Sequence, residues 1–86
     1  MKMELEIIDY LPENGLVINW EPQYKIATEV INNDVIRIAA NRDGLISLAK
    51  HLLTLALKEV KPGTHIHYDE GNALDAGSNE MILEKL

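Results

Sequence analysis

The sequence predicts an α+β domain: a mainly antiparallel sheet of about six strands with one long helix packed on one face. Apolar and polar residues alternate with period two before residue 41, as in half-buried strands. The spacing then changes to that of a helix, and short alternating runs return after Gly63. Because the chain has only 86 residues, we expect a single domain over residues 1–86, since a second core would need more chain.

Four strands are predicted before the helix, as an antiparallel meander. They are residues 3–9, 16–20, 24–31 and 35–40. In residues 3–9 apolar side chains alternate with Glu4 and Glu6, which is typical of an antiparallel strand with one solvated face. Residues 12–15 are Pro-Glu-Asn-Gly and residues 32–34 are Asn-Asn-Asp, and both sequences favour tight turns.

The predicted helix spans residues 42–61. Its polar positions fill an arc of about 100°, so an unusually wide apolar face remains, as expected for a helix that lies across a sheet. The polar positions are Ser47, Lys50, His51, Thr54, Lys58 and Lys61. Asn41 is suited to cap the first turn, and Pro62 with Gly63 ends the helix. We expect Leu48 and Leu52 to lie in the core.

Two further strands are predicted after the helix, at residues 65–68 and 80–85. A turn-rich loop with Gly71 and Gly77 joins them. The helix covers one face of the predicted sheet, so the opposite face stays free for another molecule.

Charge limits the classes of partner. The chain has 14 acidic and 8 basic residues, a formal net charge of -6, which argues against nucleic-acid binding because phosphate contacts need a basic surface. It favours a basic protein partner. The residues predicted to contact that partner, on the free sheet face and in the acidic stretch after it, are Glu4, Glu6, Glu29, His65, His67, Asp69, Glu70 and Asp75.

His65 and His67 form the one spacing that suggests a metal. Alternate strand residues point to the same face about 7 Å apart, close enough to share a zinc ion if Asp69 or His51 supplied a third ligand. Two histidines on a strand are a weak signal without a longer zinc motif. The favoured interpretation is surface or interface imidazoles, with no metal and no cofactor.

No catalytic residue is predicted. The chain has no cysteine, so disulfides and thiolate nucleophiles are excluded. Ser47 and Ser78 lie outside any Gly-x-Ser-x-Gly sequence, and no glycine-rich phosphate loop is present. The opening residues mix charged and apolar side chains, unlike a signal peptide. These observations favour a cytoplasmic protein that is not an enzyme and does not bind a membrane.

Three short sequences carry a family resemblance. They are Asn41-x-x-Gly44-Leu45-x-x-Leu48-Ala49-x-x-Leu52, Gly63-x-His65-x-His67-x-Asp69 and Gly77-Ser78-x-Glu80-Met81-Ile82. With these, roughly residues 35–86 resemble the immunity protein 32 family, the immunity proteins of bacterial polymorphic-toxin systems. The resemblance implies an α+β fold, a cytoplasmic bacterial protein without enzymatic activity, and a cognate protein toxin that is bound and silenced.

The sequence therefore favours an immunity protein that occludes the active site of its toxin through an acidic surface. Two alternatives stay open. One is a small histidine-based metal-binding protein built on His65, His67 and Asp69. The other is a homodimeric interaction scaffold without catalysis, in which two free sheet faces pair about a twofold axis.

Overall fold

The computed structural model describes all 86 residues. Its elements are a 3₁₀ turn at Pro12–Asn14, strands β1 (Ile26–Ile31) and β2 (Val35–Ala40), helix α1 (Arg42–Ala56), and strands β3 (His65–Tyr68) and β4 (Met81–Glu84). β1 pairs with β2 and β3 pairs with β4, both antiparallel, as two separate two-stranded sheets. The α+β class and the one helix agree with the prediction, but the predicted sheet of about six strands is wrong.

The two strands predicted nearest the amino terminus, residues 3–9 and 16–20, are not formed. The turn between them is present as the 3₁₀ turn, with one isolated bridge between Leu11 and Gly15. Leu16, Ile18 and Trp20 still pack against the core, but from irregular backbone. Their alternation therefore reflects partial burial and not strand pairing.

A loop occupies the edge of β1 that a further strand would need. Asp75 donates its backbone N–H to the carbonyl of Ile26 at 2.9 Å, and Asn79 donates to the carbonyl of Thr28 at 3.0 Å. Thr28 in turn donates its N–H to the Ser78 hydroxyl at 3.2 Å. Side-chain and backbone groups of this loop thus replace a neighbouring strand, which keeps the two sheets separate.

Helix α1 begins where predicted, because the Asn41 side chain accepts the N–H of Gly44 at 2.8 Å. It ends at Ala56, five residues before the predicted end at residue 61. The buried side is unexpectedly polar: Ser47, His51 and Thr54 are buried.

Each buried polar side chain on the helix has a hydrogen-bond partner. Ser47 accepts the N–H of Glu21 at 2.8 Å, and Thr54 donates to the carbonyl of Lys50, also at 2.8 Å. No buried side-chain nitrogen or oxygen is left without a partner. Burial of Ser47, His51 and Thr54 therefore costs little free energy of folding. Leu52, predicted to be in the core, is 53% exposed instead.

One hydrophobic cluster joins the helix to both hairpins. Its buried members are Ile26, Leu48, Leu55, Val60, Ile66, Tyr68 and Leu74. The total accessible surface is 6279 Å², whereas a compact monomer of this mass exposes roughly 5,100 Å². The surface is large because residues 1–9 and much of the β1–β2 hairpin are uncovered. None of the chain's helices has the length and apolar character needed to cross a bilayer.

Candidate functional site

The inner face of the β1–β2 hairpin is covered at one end only. At the near end Ile26 pairs with Ala40. Gly44 of α1 approaches this pair so closely that a Cβ added to Gly44 would lie 3.0 Å from a side-chain carbon of both residues. At the far end Val30 pairs with Ile36 on the same face, yet the two residues are 49% and 76% exposed. The far end therefore presents apolar side chains to solvent.

A cleft of about 230 Å³ lies over this far end. We call it the distal cleft, and it is lined by Thr28, Glu29, Val30, Ile36, Ile38, Asn79, Glu80, Met81 and Ile82. Hairpin residues and residues around the start of β4 line it together. Five of the nine residues are hydrophobic, so the cleft is an apolar depression between the two sheets.

The charged residues that line the distal cleft are both acidic. Glu29 accepts a hydrogen bond from Arg37 at 2.9 Å across the outer face of the hairpin. Glu80 lies 3.2 Å from the His67 ring, and its side chain is 71% exposed. Arg37 balances the charge of Glu29, whereas Glu80 has no Lys or Arg partner at this rim.

A second depression, which we call the acidic groove, continues from the cleft. It has a volume of about 500 Å³ and is lined by Asp69, Glu70, Gly71, Ser78, Asn79 and Glu80. Asn79 and Glu80 also line the distal cleft, so the two depressions meet there. Three carboxylates and no basic side chain line the groove, so the surface beside the apolar cleft is negatively charged.

Local hydrogen bonds hold the acidic groove in shape. Asp69 and Asn72 each accept the other's backbone N–H at 3.0 Å. The Asn72 side chain also donates to the carbonyl of His67 at 3.1 Å, and Leu74 is buried in the core. The turn that presents Asp69 is therefore fixed to β3 and to the core.

The eight residues predicted to contact a partner do not form one surface. Asp69 and Glu70 line the acidic groove, and Glu29 lines the distal cleft. Glu4 and Glu6 are exposed on the irregular amino-terminal segment. The other three lie near β3 and the edge of β1: His65 and His67 are exposed on β3, and Asp75 is exposed in the loop beside β1.

His65, His67 and Asp69 make separate local contacts. His65 Nδ1 lies 3.2 Å from the carbonyl of Gly63, and His67 Nε2 lies 3.2 Å from Glu80. Asp69 is engaged by Asn72. No group of three or more His, Cys, Asp or Glu side chains is arranged to hold a metal ion, so the geometry offers no support for the metal-binding alternative.

His51 is fully buried and joins three parts of the chain. Its Nε2 donates to the carbonyl of Asn19 at 2.8 Å, which leaves Nδ1 to accept from the Tyr68 hydroxyl at 2.7 Å. The Trp20 ring packs edge-on at 4.4 Å. Desolvation, with a smaller contribution from Lys50, lowers the pKa of His51, against the raising effect of the hydrogen bond to Asn19.

Burial also raises the pKa of the Tyr68 phenol above its ordinary range. Both groups of this cluster therefore stay neutral near pH 7. They are enclosed by core residues and do not face either depression, so we assign them to holding residues 19–24 on the helix.

Prediction from sequence missed the apolar half of the site. The predicted partner-contacting residues do not include Val30, Ile36, Ile38 or Ile82, nor do they include Glu80. The available signal was the sequence Val35-Ile36-Arg37-Ile38, in which only Arg37 interrupts a run of β-branched apolar residues.

Comparison with known proteins supports the predicted family. No curated protein and no solved structure matches the chain. Residues 35–86, which include β2, α1, β3, β4 and most of both depressions, match the family described as Immunity protein 32. Because that match spans more than half of the sequence, the chain belongs to the Immunity protein 32 family.

Proposed function

We propose that this protein binds a cognate bacterial toxin and neutralises it by covering the toxin's active site with an acidic surface. Family membership is the observation that carries the proposal. In this role the protein acts in the cytoplasm, binds protein and not nucleic acid or membrane, and performs no catalysis.

Charge supports occlusion of a basic surface. The net charge is -6, and the acidic groove gathers Asp69, Glu70 and Glu80 with no Lys or Arg in its lining. Toxins that attack nucleic acid carry basic clefts that bind phosphate. An acidic partner is steered into such a cleft and competes with the phosphate backbone for the same Lys and Arg side chains.

Co-expression tests the proposal. The toxin encoded beside this gene is induced in a sensitive host, with and without this protein, and viable cells are counted. We expect growth to be restored by this protein and not by an unrelated acidic protein of similar size and charge. Equal killing in all three cultures would contradict the proposal.

Purified components test the electrostatic part. Association of this protein with the toxin domain should be fast and should slow as sodium chloride rises, because added ions screen the attraction. The dissociation rate should change much less. An association rate that does not depend on salt would show that the acidic surface does not guide binding.

A homodimer is the second candidate, and the free edge of β2 favours it. β2 pairs only with β1, and its exposed residues include Val35, Ile36 and Ile38. An exposed apolar edge strand is a site for pairing with another chain. Size-exclusion chromatography with light scattering across a concentration range tests it: a dimer mass at high concentration supports the candidate, and a constant monomer mass removes it.

A further inference from the structure

We propose that the distal cleft receives an apolar side chain of the toxin, presented on a segment in which Lys or Arg residues flank that side chain. The inference rests on the proposed function and says which surface and which partner chemistry produce the binding. It moves the centre of the interface from the predicted acidic residues to Ile36, Ile38 and Val30.

The size of the cleft suits a protein side chain. Its volume of about 230 Å³ is below the range of roughly 300–1,000 Å³ that is typical of small-molecule sites. Its floor is apolar, with Ile36 76% and Ile38 45% exposed. A large side chain anchored in such a depression, with a polar rim around it, is the usual arrangement of a binding hot spot.

The charge around the cleft selects the occupant. Glu29 and Glu80 line the cleft, and Asp69 and Glu70 follow in the adjoining acidic groove. The one base that contacts these acids, apart from His67, is Arg37, which is paired with Glu29. A segment with basic residues beside its apolar anchor would bind both depressions at once, whereas a second copy of this chain would bring a charge of -6 against the same sign.

A competing apolar groove lies between α1 and the end of β4. We call it the helix groove, and it is lined by Leu52, Leu55, Ala56, Leu83, Glu84 and Lys85. It contains one acid and one base, so its local charge is balanced. A basic partner gains electrostatic attraction at the distal cleft that the helix groove does not offer.

Two lysine substitutions distinguish the grooves. Ile36→Lys and Leu52→Lys each change the net charge by the same amount, and both positions are more than half exposed, so both variants should fold. Binding to the catalytically inactivated toxin domain encoded by the neighbouring gene is measured by calorimetry, and melting curves check the fold. We expect Ile36→Lys to weaken binding at least tenfold and Leu52→Lys to change it less than twofold.

A second pair tests the chemistry of the partner. Glu80→Gln removes a carboxylate from the rim of the cleft, and Glu13→Gln removes one from the exposed 3₁₀ turn. Because both variants lose the same charge, long-range attraction falls equally. We expect only Glu80→Gln to weaken binding several-fold beyond its control, because only Glu80 would meet a basic side chain of the bound segment.

The outcomes separate this inference from the proposed function. If the unmodified protein does not bind the toxin, the proposed function fails and the inference fails with it. If it binds, and Ile36→Lys binds as tightly, the inference alone is overturned. A loss of binding in Leu52→Lys but not in Ile36→Lys assigns the interface to the helix groove. If Ile36→Lys instead converts a dimer to a monomer without loss of toxin binding, the occupant is a second copy and the inference is also overturned.

Discussion

The two ends of the β1–β2 hairpin differ although they are built alike. On one face, Ile26 at the near end is fully buried, and Ile36 at the far end is 76% exposed. Both are isoleucines in strands, on the same side of the same hairpin. The difference comes from the neighbouring elements: α1 packs on the near end, whereas residues 79–82 only flank the far end and leave an open cleft there. Exposure here follows the placement of the helix and not the residue type.

Asn41 and Gly44 explain why the helix covers only the near end. Asn41 donates its backbone N–H to the carbonyl of Lys25 at 3.1 Å and accepts the N–H of Lys25 on its side chain at 3.0 Å. The helix therefore starts beside Lys25, the residue that precedes β1. A Cβ at Gly44 would lie 2.5 Å from the Lys25 carbonyl oxygen. This contact fixes the near end and leaves the far end exposed to solvent.

The largest expected effect separates the two isoleucines directly. Ile26→Ala should lower the free energy of unfolding by about 2–5 kcal/mol, because it leaves a cavity in a packed core. Ile36→Ala should change it by no more than about 0.5 kcal/mol, since the side chain is mostly solvated. Urea denaturation of both variants measures the difference. Equal losses would show that the far end is packed as tightly as the near end.

Gly44→Ala tests the close approach of the helix to the hairpin. Alanine favours a helix over glycine by about 1 kcal/mol, but the added methyl would meet the Lys25 carbonyl. We expect a net loss of about 1–3 kcal/mol from overpacking, again measured by denaturation. Leu45→Ala, on the exposed side of the same turn, is the control and should be nearly neutral. A stabilised Gly44→Ala variant would contradict the described contact.

Asn41→Ala removes the cap and the link to β1 together. The side chain accepts from Gly44 and Lys25 and donates to the carbonyl of Gln23, so we expect a loss of about 1–2 kcal/mol. Thermal melting measures it. Asn14→Ala, in the exposed 3₁₀ turn, should leave the melting temperature unchanged. A similar shift for both asparagines would show that the cap contributes nothing specific.

The smallest expected effect is the pH dependence that His51 provides. Its folded pKa lies below the ordinary value of 6.5, so the unfolded chain binds more protons between those two values. Stability should therefore fall as the pH drops below 6.5 and should be unaffected by His51 at higher pH. Unfolding measured from pH 8 to pH 5.5 should show a shallower slope for His51→Gln than for wild type.

His65→Gln is the matched control for that slope, because His65 is exposed. This variant removes an exposed imidazole and keeps the buried one, so its slope should stay steeper than that of His51→Gln. If His51→Gln and the wild type lose stability equally as the pH falls, the buried imidazole is not the source of the effect.

Local signals predicted the elements whose partners are near in sequence. The turn at residues 32–34 closes the β1–β2 hairpin, with Asn32 and Asn33 both at positive φ. Asn41 caps the helix, and residues 65–68 form a strand. Each of these depends mainly on turn chemistry, a cap or a short alternating run, which the sequence shows directly.

Signals that depend on distant partners were misleading. The alternation in residues 3–9 suggested a strand, but the only available edge of β1 is taken by the loop that carries Ser78 and Asn79. Likewise Ser47 and His51 were assigned to solvent because they are polar, although backbone groups at residues 19–21 satisfy them in the core. Helical periodicity cannot show that a distant segment will supply those partners.

The candidate site divides in the same way. Asp69 and Glu70 were predicted as partner-contacting residues from local charge, and they do line one groove. The distal cleft needed the spatial meeting of β1–β2 with residues 79–82, which are far apart in sequence. The family, by contrast, was predicted from short sequences between residues 41 and 82, within the residues that match it.

Amide hydrogen exchange of the free and toxin-bound protein tests most directly whether the uncovered end of the hairpin is the binding end. We predict that the toxin slows exchange at residues 35–38 and 79–82 and leaves the near end around Ile26 unchanged. A stable complex in which exchange at residues 35–38 is the same as in the free protein would contradict the account.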